Sequence, residues 1–145
     1  MTAQASAGTL LAVSASMPAT FDAAGYAALS WTTVTDVSDI PEYGPKAEVI
    51  TFNPLADRIT QKATGAIDYG STVLQMAYIK ADAGQNILQA NLGDNDGISC
   101  RLTFPDASVE YFTAIVSSYT VNPSGVNDFK MSSVGLEINR AIVEA

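Results

Sequence analysis

The sequence predicts a mainly β protein, a β-sandwich or small barrel with one α-helix packed on it. Three observations carry that expectation. Ile98, Cys100, Leu102 and Phe104 alternate with Ser99, Arg101 and Thr103, the two-residue period of a half-buried strand. Runs rich in Val, Ile, Thr and aromatic residues recur along the chain, separated by proline and glycine turns. Only Asp82–Leu92 carries helix start and stop signals together. The 145 residues suffice for one hydrophobic core, and no internal repeat or linker divides them, so 1–145 is expected to be one domain.

In order along the chain, residues 1–8 are small and polar and are expected to form a flexible N-terminal arm. Thr9–Ser14 reads as a first strand, ended by Met17-Pro18 because proline cannot donate to a ladder. Phe21–Ser30, alanine-rich with Gly25 inside, reads as a short helical turn or a loop. Trp31–Ile40 is rich in Thr and Val and reads as one strand ending at Pro41. Pro41–Lys46 is turn chemistry, and Glu48–Phe52 a short strand or hairpin arm broken by Asn53-Pro54. Leu55–Tyr69 shows no clean periodicity, so 41–71 is expected to be a long irregular loop. Ordering such a loop costs entropy. Contact with a neighbouring subunit would offset that cost; the alternative is a plain flexible loop.

Val73–Lys80 resumes strand character. In the helix 82–92, Asp82 is placed to cap the amide of Gln85, with Gln85 reaching back as in a capping box. Ile87, Leu88, Asn91 and Leu92 share one face, and Gly93 supplies the left-handed residue after the last turn. Asp94-Asn95-Asp96-Gly97 turns the chain into the strand at Ile98. Phe104-Pro105-Asp106-Ala107-Ser108 is a tight reversal in which proline presets the first dihedral and Asp tolerates the second. Val109–Tyr119 and Val126–Ile142 complete a three-strand run that builds sheet and edges but no pocket.

The formal net charge is −8, from fifteen acids and seven bases. That argues against nucleic-acid binding, which needs a basic stripe to displace counterions, and against docking on anionic membranes. There is no histidine and one cysteine, Cys100. Neither a Ser–His or Cys–His couple nor an imidazole zinc site is available, and Cys100 falls on the apolar side of its strand. No Lys or Arg precedes Lys46, so a secretory signal is not expected. No run approaches the ~18 apolar residues of a membrane helix.

Asp94-Asn95-Asp96-Gly97 lacks the ligand spacing of a calcium loop, since its glycine comes early and Ile98 takes a ligand place. Gly65–Gly70 has no Lys-Ser/Thr ending and is no phosphate loop. Asp36 with Asp39, or Glu42 with Glu48, are the acid pairs open to carboxylate chemistry, and nothing marks them beyond solvated acids. No cofactor, metal or catalytic group is expected.

Arg101-Leu102-Thr103-Phe104-Pro105-Asp106-Ala107-Ser108-Val109-Glu110-Tyr111-Phe112, followed by Ala114-Ile115-Val116-Ser117-Ser118-Tyr119, resembles the tail tube proteins of long non-contractile-tailed, lambda-like bacteriophages. In those proteins a strand ending Phe-Pro-Asn-Gly leads into a strand that closes on Val-Ser-Ser. Gly8-Thr9-Leu10-Leu11, the Trp31–Pro41 segment, the Thr72–Lys80 strand and the Asp82–Leu92 helix stand in the family's order too. Asp106-Ala107 departs from the lambda-like Asn-Gly, so the turn type is open.

The resemblance implies a β-sandwich with a packed helix, six copies closing into a ring, and their sheets joining into one continuous β-barrel. It implies a virion tail component, assembled in the host cytoplasm from stacked rings, through which genomic DNA passes without specific binding. The implied partners are further copies of the chain, the tail terminator, tail tip or baseplate proteins, and the tape measure protein; no membrane is implied. An acidic inner wall lets a polyanion slide, and ring closure pairs otherwise exposed sheet edges. Asp36, Asp39, Glu48 and Glu137 are the lumen-facing candidates, chosen as acids in strands. Pro41, Tyr43, Pro45, Leu55, Arg58, Ile59, Lys62, Ile67 and Tyr69 are the candidate inter-ring and inter-subunit contacts. Rival readings are a type VI secretion-like tube or a tail-terminator component on the same fold, and a carbohydrate- or receptor-binding β-sandwich in which Tyr26, Trp31, Tyr43 and Tyr69 meet.

Overall fold

Two residues, Thr35 and Asp36, connect the opposite ends of one sheet, and that connection shapes the whole molecule. The structure, a computed structural model, describes residues 3–145. Its elements are β1 (Leu10–Ser14), α1 (Ala23–Ala27), β2 (Thr32–Val34), β3 (Val37–Asp39), β4 (Lys46–Phe52), β5 (Gln61–Asp68) and β6 (Ser71–Ala77), followed by α2 (Ala83–Ala90), β7 (Ile98–Thr103), β8 (Val109–Asn122), β9 (Met131–Ile138) and β10 (Val143–Glu144). The main sheet runs β2-β1-β7-β8-β9-β6-β3, with β10 also on β8, and all its pairings are antiparallel. Since β2 and β3 close the two ends of this path yet are adjacent in sequence, the sheet has to curl back on itself.

The fourteen-residue β8 is where it folds over. Its first half, to Ala114, pairs with β7, and from Ala114 onward it pairs with β9. One layer is therefore β2-β1-β7 with the start of β8 and β10, and the other is the end of β8 with β9, β6 and β3. Leu11, Val13, Cys100 and Leu102 of the first layer and Leu74, Met76, Val134 and Leu136 of the second form one buried cluster. Alternation in β6 decides which face is inside: Thr72, Leu74 and Met76 are buried, while Ser71 and Val73 are exposed.

Helix α2 begins where its signals place it. Asp82 accepts a hydrogen bond from the Gln85 amide at 3.0 Å, and Gly93 takes a φ of 78°. The reciprocal half of the capping box does not form. The fully buried Gln85 side chain instead accepts from Ile79 N at 3.1 Å and donates to Ala77 O at 2.7 Å, tying the helix to the end of β6. The buried face is Gly84, Gln85 and Leu88, whereas Leu92 is exposed. The expected face around Ile87, Leu88, Asn91 and Leu92 is thus rotated by roughly 40°, less than half of the ~100° step between residues, because Gly84 lies directly against β2. An added Cβ there would come within 2.8 Å of Thr33 O.

Two segments differ more sharply from the sequence expectation. Trp31–Ile40 is not one strand. It breaks at Asp36, whose φ of 56° reverses the chain between β2 and β3. The stretch 41–71 is not irregular: β4 and β5 pair over their length as a separate two-stranded sheet. The strand expected over Val126–Ile142 is β9 and spans only Met131–Ile138, with 123–130 forming the β8–β9 turn. Met1 and Thr2, in the expected N-terminal arm, lie outside the described residues; the next few residues are exposed, and Thr9 N donates to Ser6 O at 3.1 Å.

Candidate assembly surfaces

The β4–β5 hairpin stands off the sandwich as an arm. Every residue of β4 is exposed, and so is every residue of β5 except the half-buried Gly65. A bulge between the Ala47 and Val49 pairings places Val49 and Ile67 on one face and Ile50 and Phe52 on the other. Both faces therefore show large apolar side chains to solvent, as do Leu55 and Ile59 at the tip. A lone two-stranded hairpin is marginal in water. At about 1.5–3 kcal/mol per buried side chain, these six residues leave on the order of 10 kcal/mol of transfer free energy unrealised.

The structure divides the nine sequence-named contact residues into two groups. Leu55, Arg58, Ile59, Lys62 and Ile67 lie exposed on the arm, and Pro45 at its exposed base. Pro41, Tyr43 and Tyr69 are held by the body. Pro41 O accepts from the Thr72 hydroxyl at 3.3 Å. Tyr69 packs against the core cluster. The Tyr43 ring lies 5.5 Å from that of Phe112, and its hydroxyl donates to Glu110. Burial and the adjacent Glu110 carboxylate both push the Tyr43 phenol well above its ordinary range.

The second surface is the outer face of the β8-end, β9, β6, β3 layer. Register places Asp39, Gln75, Ser133 and Thr120 in one row across it, and Ser71, Glu137 and Ile115 in another. These four strand segments contain two acids, Asp39 and Glu137, and no Lys or Arg. Two of the four sequence-named acids thus share a face, while two do not. Asp36 sits in the reversal between strands, and Glu48 is on the arm. Between the rows lies Gly135, where an added Cβ would come within 2.8 Å of both Ser117 Oγ and Ser118 Oγ. The Ser117-Ser118 bulge closes over that glycine: Ser117 Oγ donates to Gly135 O at 3.2 Å and Gly135 N donates to Ser118 Oγ at 3.1 Å.

Both margins of this layer are open among the described residues. β3 pairs only with β6. On the side of β8 facing away from β9, strand pairing stops at Ala114, and only the isolated Leu92 bridge touches Val116. The open margins lie on opposite sides of one layer, the arrangement that heterologous edge-to-edge pairing requires.

The aromatic residues meet, but as packing. Tyr26 is fully buried, stacked at 5.2 Å and 4° on Tyr111, which lies 5.8 Å from Trp31. Phe21 closes one end of the row with Arg140 at 3.8 Å, and Arg101 sits 5.2 Å above Trp31 at the other. This row fastens the α1 segment over the outer face of β7 and β8, and with Tyr43 and Tyr69 held elsewhere no exposed sugar platform results. Cys100 is fully buried, and burial pushes its thiol up to about 12, so it is a neutral packing group.

One feature contradicts the expectation of a pocket-free surface. A cavity of about 720 Å³ opens at the end of the sandwich, lined by Met17, Phe21, Asp94, Asp96, Thr113 and Arg140 among others. The sequence hid it because its walls come from four separate segments, 15–21, 94–97, 113–114 and 139–140. No cluster of metal-ligating side chains occurs among the described residues, and none of their helices is long and apolar enough to cross a membrane.

Known structures share this architecture. The chain superposes with a TM-score of 0.72 on a protein in the six-fold symmetrised baseplate of the anti-feeding prophage, at 9% identity, covering 100% of this chain and 97% of that one. A chain of the native gene transfer agent virion gives 0.68 at 13% identity, covering 99% of each. A chain from the tail of the empty gene transfer agent particle, refined helically with C6 symmetry, gives 0.67 at 15% identity and 97% coverage of each. No curated protein matches the chain. The family model described as phage tail tube protein, TTP, matches residues 1–142, and the chain therefore belongs to the phage tail tube protein family, structural components of the tails of phages and phage-like particles.

Proposed function

We propose that six copies of this chain close into a ring, that rings stack into a hollow tube, and that the tube conducts the DNA genome during ejection. The observation that carries the reading is the four-strand layer with an open margin on each side and an outer face that has acids but no bases. Pairing the β3 margin of one copy with the β8 margin of the next extends the sheet, and a rotation that closes makes a barrel without edges. The baseplate and tail particles whose chains share this fold have six-fold symmetry. Asp39 and Glu137 then face the lumen, where negative charge keeps a polyanion from adhering.

The arm binds a neighbouring copy. Its roughly 10 kcal/mol of unrealised transfer free energy lies within the ~4–15 kcal/mol cost of association. Gain and cost are of similar size, so the arm acts together with the paired edges. In this reading the tube ends meet terminator and tip or baseplate proteins, and the lumen holds a tape measure protein before DNA. A type VI secretion-like tube would use the same edges and arm, but its lumen would pass protein.

The test is assembly of the purified chain, seen by negative-stain microscopy. The intact chain forms rings and hollow tubes as concentration rises. Replacing residues 47–67 by Asn-Gly, a two-residue hairpin turn between the paired Lys46 and Asp68, leaves a folded monomer that does not polymerise. Normal tubes from that variant would overturn the arm's role. An intact chain that stays monomeric at every concentration would overturn the tube itself.

A further inference from the structure

The arm is apolar on both faces, which is more than docking on one surface requires. An antiparallel sheet that packs by one face alternates apolar with polar residues, because its other face stays in water. β4 departs from that alternation at Val49-Ile50-Thr51-Phe52. Pairing puts Val49 and Ile67 on one face and Ile50 and Phe52 on the other, and all four are 55–63% exposed. An added Cβ at Gly65 would come within 3.1 Å of Ile50 Cδ1, so the Ile50 side chain lies across the strand pair over that glycine and keeps its face flat. Each face is thus shaped for packing, and β4 and β5 pair only with each other.

Charge decides what the arm can approach. Residues 46–68 carry three bases, Lys46, Arg58 and Lys62, and three acids, Glu48, Asp57 and Asp68. The arm is therefore neutral, and the whole −8 belongs to the rest of the chain. Two bodies of this chain repel each other, whereas an arm meets a body without that repulsion. Packed layers lie ~10 Å apart, so an arm covered on both faces needs two walls ~20 Å from each other. The body's cavity of about 720 Å³ is lined by Asp94, Asp96 and Arg140, which do not suit apolar faces. The cavity walled by Leu102 and Phe104 holds about 220 Å³, below the ~300 Å³ at which ligand pockets begin. Neither admits a hairpin, and walls on opposite sides of the arm come most simply from two molecules.

We infer that each arm is clasped between two further copies of this chain, one packing on the Val49–Ile67 face and the other on the Ile50–Phe52 face. The clasp deepens the tube reading above and rests on it. Its stoichiometry fits a closed ring of six, which has six arms and six pairs of adjacent bodies. Each arm then ties three subunits together, where docking by one face would tie two.

Photocrosslinking in assembled tubes tests the clasp. Benzoylphenylalanine replaces Val49, Phe52 or both, and the photoreactive chain is assembled with a large excess of the intact chain, so that its neighbours are not photoreactive. After irradiation each single replacement gives a cross-linked dimer on a denaturing gel, and the double replacement gives a trimer. Tubes in which the double replacement stops at dimers, or in which one position links to no second copy, overturn the clasp and leave the tube reading standing. Substitution face by face gives a second readout. Val49→Thr with Ile67→Thr, and separately Ile50→Thr with Phe52→Thr, keep strand-forming residues in the arm. Each pair is expected to raise the concentration at which tubes appear by about tenfold or more. An unchanged threshold for either pair overturns the clasp, and an intact chain that forms no tubes overturns both readings.

Discussion

Single residues carry the points where this chain departs from the regular geometry of its elements. Ala107 is the clearest. It takes the left-handed conformation, φ 71°, in the reversal between β7 and β8. The lambda-like relatives suggested by the sequence have glycine at this place, and the structure shows why glycine suits it: a Cβ in the left-handed region costs ~1–2 kcal/mol. The rest of the turn compensates. Asp106 Oδ1 accepts from Ser108 N at 3.0 Å and from Ser108 Oγ at 2.6 Å, and Ala107 N donates to Phe104 O at 2.9 Å. Those bonds hold the Asp106 carboxyl below the usual carboxylate range. Ala107→Gly relieves the strain but adds freedom to the unfolded chain, worth ~0.4–1 kcal/mol against it. The expected net is a gain of ~0.5–1 kcal/mol, read as a melting temperature ~1–4 °C higher; a lower one would show that the turn is not strained. The sequence placed this reversal correctly but gave its special dihedral to Asp106. Asp106 serves as an acceptor, and a side chain cannot report which neighbouring backbone turns left-handed.

Among the elements, α2 and the arm show opposite relations between sequence and structure. The helix was legible because its signals are local: Asp82 at the start and Gly93 after the end need no tertiary contact to act. Its buried face was less legible, because it is set by what the helix lies on. Gly84 touches β2 so closely that an added Cβ would meet Thr33 O at 2.8 Å and Val34 Cα at 2.8 Å, both backbone atoms that cannot swing away. Gly84→Ala should therefore destabilise the protein by ~1–3 kcal/mol even though alanine favours helix. Chemical denaturation measures this directly, and an unchanged or raised midpoint would mean that the helix can lift off β2 freely. The arm was illegible for the reverse reason. Periodicity marks a strand only when one face is buried, and in β4–β5 neither is. The bulge beside Ala47 also shifts the alternation. The Trp31–Ile40 segment misled in a third way, since its β-forming residues are real but belong to two strands at opposite ends of the sheet.

At the scale of the whole molecule, the body is one folded-over sheet around one core, and it carries groups that tolerate burial only when neutral. Cys100 is pushed up to about 12 from 9.0, and burial raises Tyr26, Tyr43 and Tyr119 above 10.0. In each case the folded protein keeps its proton at a pH where the unfolded chain has lost it. Their contribution to stability is thus complete below about pH 9 and is lost as pH rises toward 12. Thermal melts should show a falling melting temperature from about pH 9 upward. In Cys100→Ala the fall should start nearer pH 10, where the tyrosines take over, and an unchanged onset would assign it to other groups. The same scale holds the assembly surfaces. An open margin on each side of the layer and the two faces of the arm are properties of placement, not of any one segment.

The residues by themselves determined the class of the molecule: alternating strands, one capped helix, an acidic balance, and no histidine around which to build a site. They also carried enough of the family's order in Arg101–Tyr119 to indicate a tube protein, because short-range pattern and turn chemistry are written locally. Tertiary structure alone decided that β2 and β3 lie at opposite ends of one sheet, that Asp39 and Glu137 share a face while Asp36 and Glu48 do not, and that four distant segments line a cavity. Strand order and register depend on contacts between residues far apart in the chain, and a shift of one residue reverses every face.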